Sequence, residues 1–150
     1  MNIMKNLLGG LVGAATINLL HEVYRRIDPL APRVDLVGKE AVSKVVKATG
    51  HSAPRGKKLY LATLAGDLLT NSIYYALIGR GRYKNLLLRG AALGLAAGVG
   101  ALELTKPMGL DDRPITKSTR TKVLTVAWYL VGGLVTAFVI DRMRNREENL

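Results

Sequence analysis

Four apolar stretches, at residues 3–23, 59–79, 86–104 and 123–141, constrain this chain more than any other feature. Each runs for about 18 to 21 residues, and at about 1.5 Å of rise per residue a helix of that length spans about 30 Å, the thickness of a hydrocarbon core. A soluble amphipathic helix would carry a charged face. These stretches carry almost none, and the charges crowd into the gaps between them. The expected fold is all-α: a polytopic membrane protein with four transmembrane helices in one integral membrane domain over residues 1–150. Its rivals are three spans with an interfacial first helix, and a soluble bundle. The apolar share of 49% would suit a globular protein equally, so the distribution of these residues decides the class, not their total.

The gaps are as informative as the stretches. In the first, Pro29 and Pro32 stop the opening helix. Val34, Val37, Ala41, Val42, Val45 and Ala48 then recur at three- and four-residue spacing, with Lys39, Lys44 and Lys47 mostly off that stripe. This predicts a short amphipathic helix over 34–48, either lying in the membrane interface or capping the bundle by its valine face. Arg55, Lys57 and Lys58 lead into the second stretch, completing an interfacial basic set with the three lysines. The formal net charge of +11 therefore reads as attraction to anionic headgroups. No zinc-finger spacing, helix-turn-helix pattern or aromatic-interleaved basic strand supports nucleic-acid binding. Of the 22 Lys and Arg, 14 fall on the side of the first and third connections and 8 on the side of the termini and the second. That bias predicts cytoplasmic connections at 24–58 and 105–122, in a membrane of bacterial inner or plasma type. His21, Glu22, Tyr24, Arg25 and Arg26 stand where a small-residue cleavage site would follow the first stretch, so it reads as a retained span.

A loose internal duplication is visible. KNLLGGLVGAATINLLHE starts at Lys5 and KNLLLRGAALGLAAGVGALE at Lys84, and each is followed by a proline-containing exit and a further span. A 2+2 parallel repeat about the membrane normal would follow. Gly90, Gly94 and Gly98 form a row of small residues four apart, suited either to packing within the chain or to association of two copies. With so little interior in four short spans, a homo-oligomer or a partner membrane protein is expected. Tyr24, Tyr60, Trp128 and Tyr129 would mark one membrane boundary, and Tyr74, Tyr75 and Tyr83 the other.

The second stretch holds the anomaly. Thr63, Asp67, Thr70, Asn71 and Tyr74 share one helical stripe. A carboxylate at mid-helix costs about 2.5 to 3.5 kcal/mol on insertion scales, so the stripe must face the interior. Asn18 and Glu22 of the first span and Glu103 of the third reach the same half of the slab, and could join Asp67 and Asn71 in one polar pocket. Three roles compete: a clamp between helices, a proton or cation site on a pathway, and chemistry at the membrane surface. With no cysteine and no Walker, HExxH or GxSxG motif, neither an enzyme nor a cofactor is indicated. A haem would need both His21 and His51. The reading is a small channel or proton- or cation-linked carrier centred on Asp67, with a non-transporting accessory or scaffold subunit as its rival.

Overall fold

A computed structural model describes residues 3–81 and 85–148, with side chains as far as Asn145. The described residues form helices and no strand: α1 (Ile3–Ile27), α2 (Val34–Ala48), α3 (Gly56–Ala76) with a 3-10 turn at Leu77–Gly79, α4 (Leu86–Leu104), α5 (Arg113–Thr116) and α6 (Thr119–Glu148). Three helices are long and apolar enough to cross a membrane: Ile3–Ile27, Leu86–Leu104 and Thr119–Asn145. That is consistent with a membrane protein. The helix α3 is not among them, because its polar residues Thr63, Asp67, Thr70, Asn71 and Ser72 lower its hydropathy.

The helix ends have identifiable causes. α1 stops where Pro29 cannot continue the ladder, and the Asp28 carboxylate accepts from Leu30 N–H at 2.9 Å. α2 ends on Gly50, whose φ of +80° needs a residue without a Cβ. α4 begins at Asn85, whose side chain accepts from Leu88 N–H at 2.9 Å.

α1 and α6 stand at the centre of the bundle, with α3 against α1 and α4 against α6. Glycines set these approaches. A Cβ on Gly9 would lie 2.5 Å from Ile140 Cγ1 of α6, while one on Gly10 would run into the backbone of Ser72 in α3. The row Gly90, Gly94 and Gly98 seats α4 on Gly133, Leu130, Tyr129 and Val126 of α6. All three glycines are buried within the chain, so the row packs a neighbouring helix and is no surface for a second copy. A 2+2 repeat pairs α1 with α3 and α4 with α6, as here, but its two-fold axis would make the α1–α6 and α3–α4 contacts equivalent. They are not: α1 and α6 pack along much of their length, whereas α3 meets α4 through little more than Tyr74.

Leucines and other large apolar side chains face outward, among them Leu61, Leu69, Ile73, Leu87, Leu88, Leu95, Val123 and Phe138. A soluble monomer rarely exposes so many large apolar side chains. Inside lie Ile17, Tyr75, Ile78, Leu86, Tyr129, Ala137 and Ile140. This corrects the expected aromatic belts, because Tyr75 and Tyr129 are core residues with bonded or packed rings. Tyr24 and Trp128 pack together at 4.6 Å between centroids, and Tyr83 lies outside the described residues.

One end of the bundle carries a cap made from both long connections. Arg33 N–H donates to Pro114 O at 3.0 Å, Asp111 N–H to Glu40 at 2.8 Å, Thr121 Oγ1 to Leu30 O at 2.9 Å and Lys117 Nζ to Pro29 O at 2.6 Å. The helix α2 lies in this cap against α3, where Gly38 lets it settle on the Thr63 methyl. Its outer side leaves Leu36 and Val45 exposed.

Candidate functional site

Asp67 turns towards α1, the interior direction its cost demands, whereas Thr70 of the same stripe is exposed. Asn18 Nδ2 donates to Asp67 Oδ2 at 2.6 Å across the helix pair, and Asn71 Nδ2 donates to Oδ1 at 2.9 Å from one turn along α3. Each carboxyl oxygen thus receives one amide N–H. Asn18 Nδ2 also donates to Ala14 O of its own helix at 3.0 Å, which fixes its rotamer. Both amides present nitrogen to Asp67, so their carbonyl oxygens are not turned onto the carboxylate to complete a shared cation shell.

Asp67 stands at the inner end of a cavity of about 70 Å³ between α1, α2 and α3. His21, Glu22, Arg25, Asp35, Tyr60 and Thr63 line it further out. Two buried polar atoms on its walls, His21 Nε2 and Thr63 Oγ1, have no protein hydrogen-bond partner. The outer end is ringed by charge. Glu22 accepts from Arg25 at 2.7 and 2.8 Å and from Arg26 at 2.5 Å. Arg25 reaches Asp35 of α2 at 3.8 Å, and Asp35 is held by Arg33 at 2.7 Å and Lys39 at 3.3 Å. Burial pushes the Asp35 carboxyl up, but the Arg33 and Lys39 cations outweigh it and leave the group below its ordinary range.

Beyond Asp67 the interior closes. Tyr75 OH donates to Tyr129 O at 2.7 Å and Tyr74 OH to Leu93 O at 2.9 Å, with Ile17 and Ile78 fully buried around them.

Of the five residues expected to share a polar pocket, Asn18, Asn71 and Asp67 are in direct contact, and Glu22 lines the same cavity nearer its mouth. Glu103 does not join them. It is exposed on α4, a helix that packs on α6 and away from this cavity. His21 and His51 do not face one site: His21 lies against Tyr129, whereas His51 sits beyond the end of α2 with Nδ1 at 3.0 Å from Thr49 O. Among the described residues no cluster of His, Asp and Glu is arranged to hold a metal ion. Of the basic set, Lys39 joins the mouth through Asp35 and its ammonium stands 5.8 Å over the Tyr60 ring, while Lys44 pairs with Glu40 at 2.8 Å.

Sequence reasoning did not place Arg25 or Asp35 in the cavity wall. For Arg25 the signal was its three-residue offset from Glu22 on the same helix face. For Asp35 there was none, because its place depends on how α2 folds back onto α3. Comparison of the chain with protein-family models, curated proteins and solved structures gives no match.

Proposed function

We propose that this chain is a four-span membrane protein, with α3 as its fourth span, and that it works as a small proton-linked carrier whose protonatable group is Asp67. The observation that carries the reading is a mid-helix carboxyl, held by two amides, at the inner end of a cavity with a charged mouth. An ionisable group inside a span is expensive, and its usual justification is a pathway. A cavity of about 70 Å³ has room for a few waters, and His21 Nε2 and Thr63 Oγ1 are wall groups that such waters would satisfy. Water there would connect Asp67 to the capped end of the bundle, which the positive-inside bias assigns to the cytoplasm.

The proton is favoured over a metal cation by the amides. Because Asn18 and Asn71 donate to Asp67, they stabilise its anion and offer it no carbonyl partner for sharing a metal ion. Closure beyond Asp67 by Tyr74 and Tyr75 favours a carrier with one side open over a continuous channel. The cavity is formed within one chain, so this reading needs no second copy.

The test is proton uptake into liposomes holding a pH-sensitive dye, driven by an imposed membrane potential. The wild-type protein is expected to carry protons, Asp67→Asn to fall to the level of empty liposomes, and Glu103→Gln to keep wild-type flux. Wild-type liposomes no more permeable than empty ones would refute the carrier and favour an accessory or scaffold role.

A further inference from the structure

Two groups of basic residues stand out in the cap, beside Lys106, Lys117 and Lys122 of the 105–122 connection. Arg25, Arg26, Arg33, Lys39, Lys44, Arg113 and Arg120 each lie within ion-pair distance of a carboxylate. Among the described residues, no carboxylate pairs with Lys47, Arg55, Lys57 or Lys58. The sequence accounts for this: no Asp or Glu occurs between Glu40 and Asp67. Uncompensated positive charge therefore collects where α2 ends and α3 begins.

That charge surrounds a concavity. An open hollow of about 560 Å³ lies between the end of α2, the 49–55 turn and the start of α3, lined by Ser43, Lys47, His51, Ser52, Arg55 and Leu59. Its shape is set by local bonds. Thr49 Oγ1 donates to Val46 O at 2.7 Å, Gly50 takes a φ of +80°, and the His51 ring is tied back to Thr49. Cationic and hydroxyl side chains thus converge on a pre-shaped hollow, a donor set that suits the oxygens of a phosphate group. Leu59 forms an apolar wall, and the two helices that bound the hollow also carry exposed apolar side chains, Leu61 on α3 and Val45 on α2.

We propose that this hollow binds the headgroup of an anionic phospholipid, the phosphate between Lys47 and Arg55 and the acyl chains running down the outer face of α3 past Leu61. The inference rests on the placement of α3 in the membrane, not on proton transport. Charge complementarity selects an anionic headgroup, because a choline would bring a second cation among Lys47, Arg55 and Lys57. The exposed apolar side chains select a lipid over a free anion, since a free anion would have no use for Val45 and Leu61.

The test is native mass spectrometry of the full chain released from detergent after incubation with dioleoyl phosphatidylglycerol or dioleoyl phosphatidylcholine. One phosphatidylglycerol per chain is expected to be retained, and phosphatidylcholine is not. Lys47→Gln with Arg55→Gln should weaken retention by about tenfold or more, as loss of two headgroup contacts implies. These side chains are exposed, so the variant should remain folded, and an unchanged melting temperature verifies that. Removing two charges elsewhere on the cap, by Lys106→Gln with Lys122→Gln, should leave retention unchanged. Equal loss in the control pair, or equal retention of phosphatidylcholine, would overturn the site in favour of diffuse attraction. Displacement of phosphatidylglycerol by inorganic phosphate alone would overturn the lipid assignment in favour of a free-anion site. Since the readout is lipid mass, failure of the proton assay leaves this result standing, and the reverse also holds.

Discussion

Replacing Gly94 by alanine adds one methyl group to the middle of the α4–α6 seam. Its Cβ would stand 2.8 Å from Tyr129 O and 2.9 Å from Leu130 Cα. Both are backbone atoms, so no side-chain rotation relieves the overlap. Normal carbon contacts begin near 3.4 Å, and the two helices must therefore separate by roughly 0.6 Å at this point. A radial gap of about 0.5 to 1 Å already forfeits about a quarter to a half of the dispersion energy of the atoms it parts. The seam continues through Gly90 and Gly98, where a Cβ on either would itself be within 2.7 Å of α6, so the loss spreads along the helix. Overpacking of this kind costs about 1 to 3 kcal/mol. For a chain of this size that is a fall in melting temperature of about 3 to 10 °C. The assay is the surviving fraction of monodisperse protein in detergent after heating. Gly66→Ala supplies the reference, because nothing lies within 4 Å of a Cβ there and the change should be neutral or stabilising by up to about 1 kcal/mol. Equal melting of the two variants would refute the packing argument. A Gly94→Ala particle of unchanged melting temperature but reduced mass would instead place the glycine row between two copies.

Three further outcomes are expected. Asn18→Ala should destabilise by about 1.5 to 3 kcal/mol in the same melt, because Asp67 loses its 2.6 Å donor from α1, and the loss should shrink in an Asp67→Asn background. Tyr75→Phe should cost about 1 kcal/mol through loss of the 2.7 Å bond to Tyr129 O, read by the same melt. Asp35 has a folded pKa below its unfolded value, so its contribution is present above the ordinary carboxylate range and disappears as pH falls through the lower folded value. Stability measured from about pH 6 downward should therefore show an acid limb below about pH 4 that is shallower in Asp35→Asn.

The parts of this fold that follow a single period along the chain were legible, and the parts set by contact between distant segments were not. Leu86–Leu104 and Thr119–Asn145 each contain an apolar window of membrane length, so hydropathy alone marks them. The spacing of valines from Val34 to Ala48 likewise coincides with α2. Which face of α4 meets α6 was half legible: the glycine row marked a close approach, but its partner could as well have been another chain. Glu103 was misplaced because depth in the slab was taken as proximity. It depends on helix order, and α4 sits beside α6 rather than beside α1. The belts failed in height as well as rotation: Tyr75 and Tyr129, expected at opposite boundaries, meet in the core, where Tyr75 OH donates to Tyr129 O at 2.7 Å. The short helix α5 gave no periodic signal, being four residues that begin beside Pro114.

The residue that most weakens α3 as an independent span is also the one that ties it to α1. A segment carrying Asp67 and Asn71 is poorly disposed to partition into lipid alone, and by length and hydropathy it falls short where α1, α4 and α6 do not. Asn18 of α1 answers the carboxyl directly, and Gly10 lets the two helices close over it. On the proposed reading of α3 as a fourth span, α1 and α3 enter the membrane as a hairpin, with α2 folded back over its open end. That dependence explains the position of the cavity. Of the contacts between long helices, α1–α3 is the one that holds the Asp67 carboxyl, whereas α4–α6 closes a row of glycines on backbone. A carboxyl held in one helix pair and a glycine seam in the other thus follow from where the sequence places Asp67 and where it places Gly90, Gly94 and Gly98.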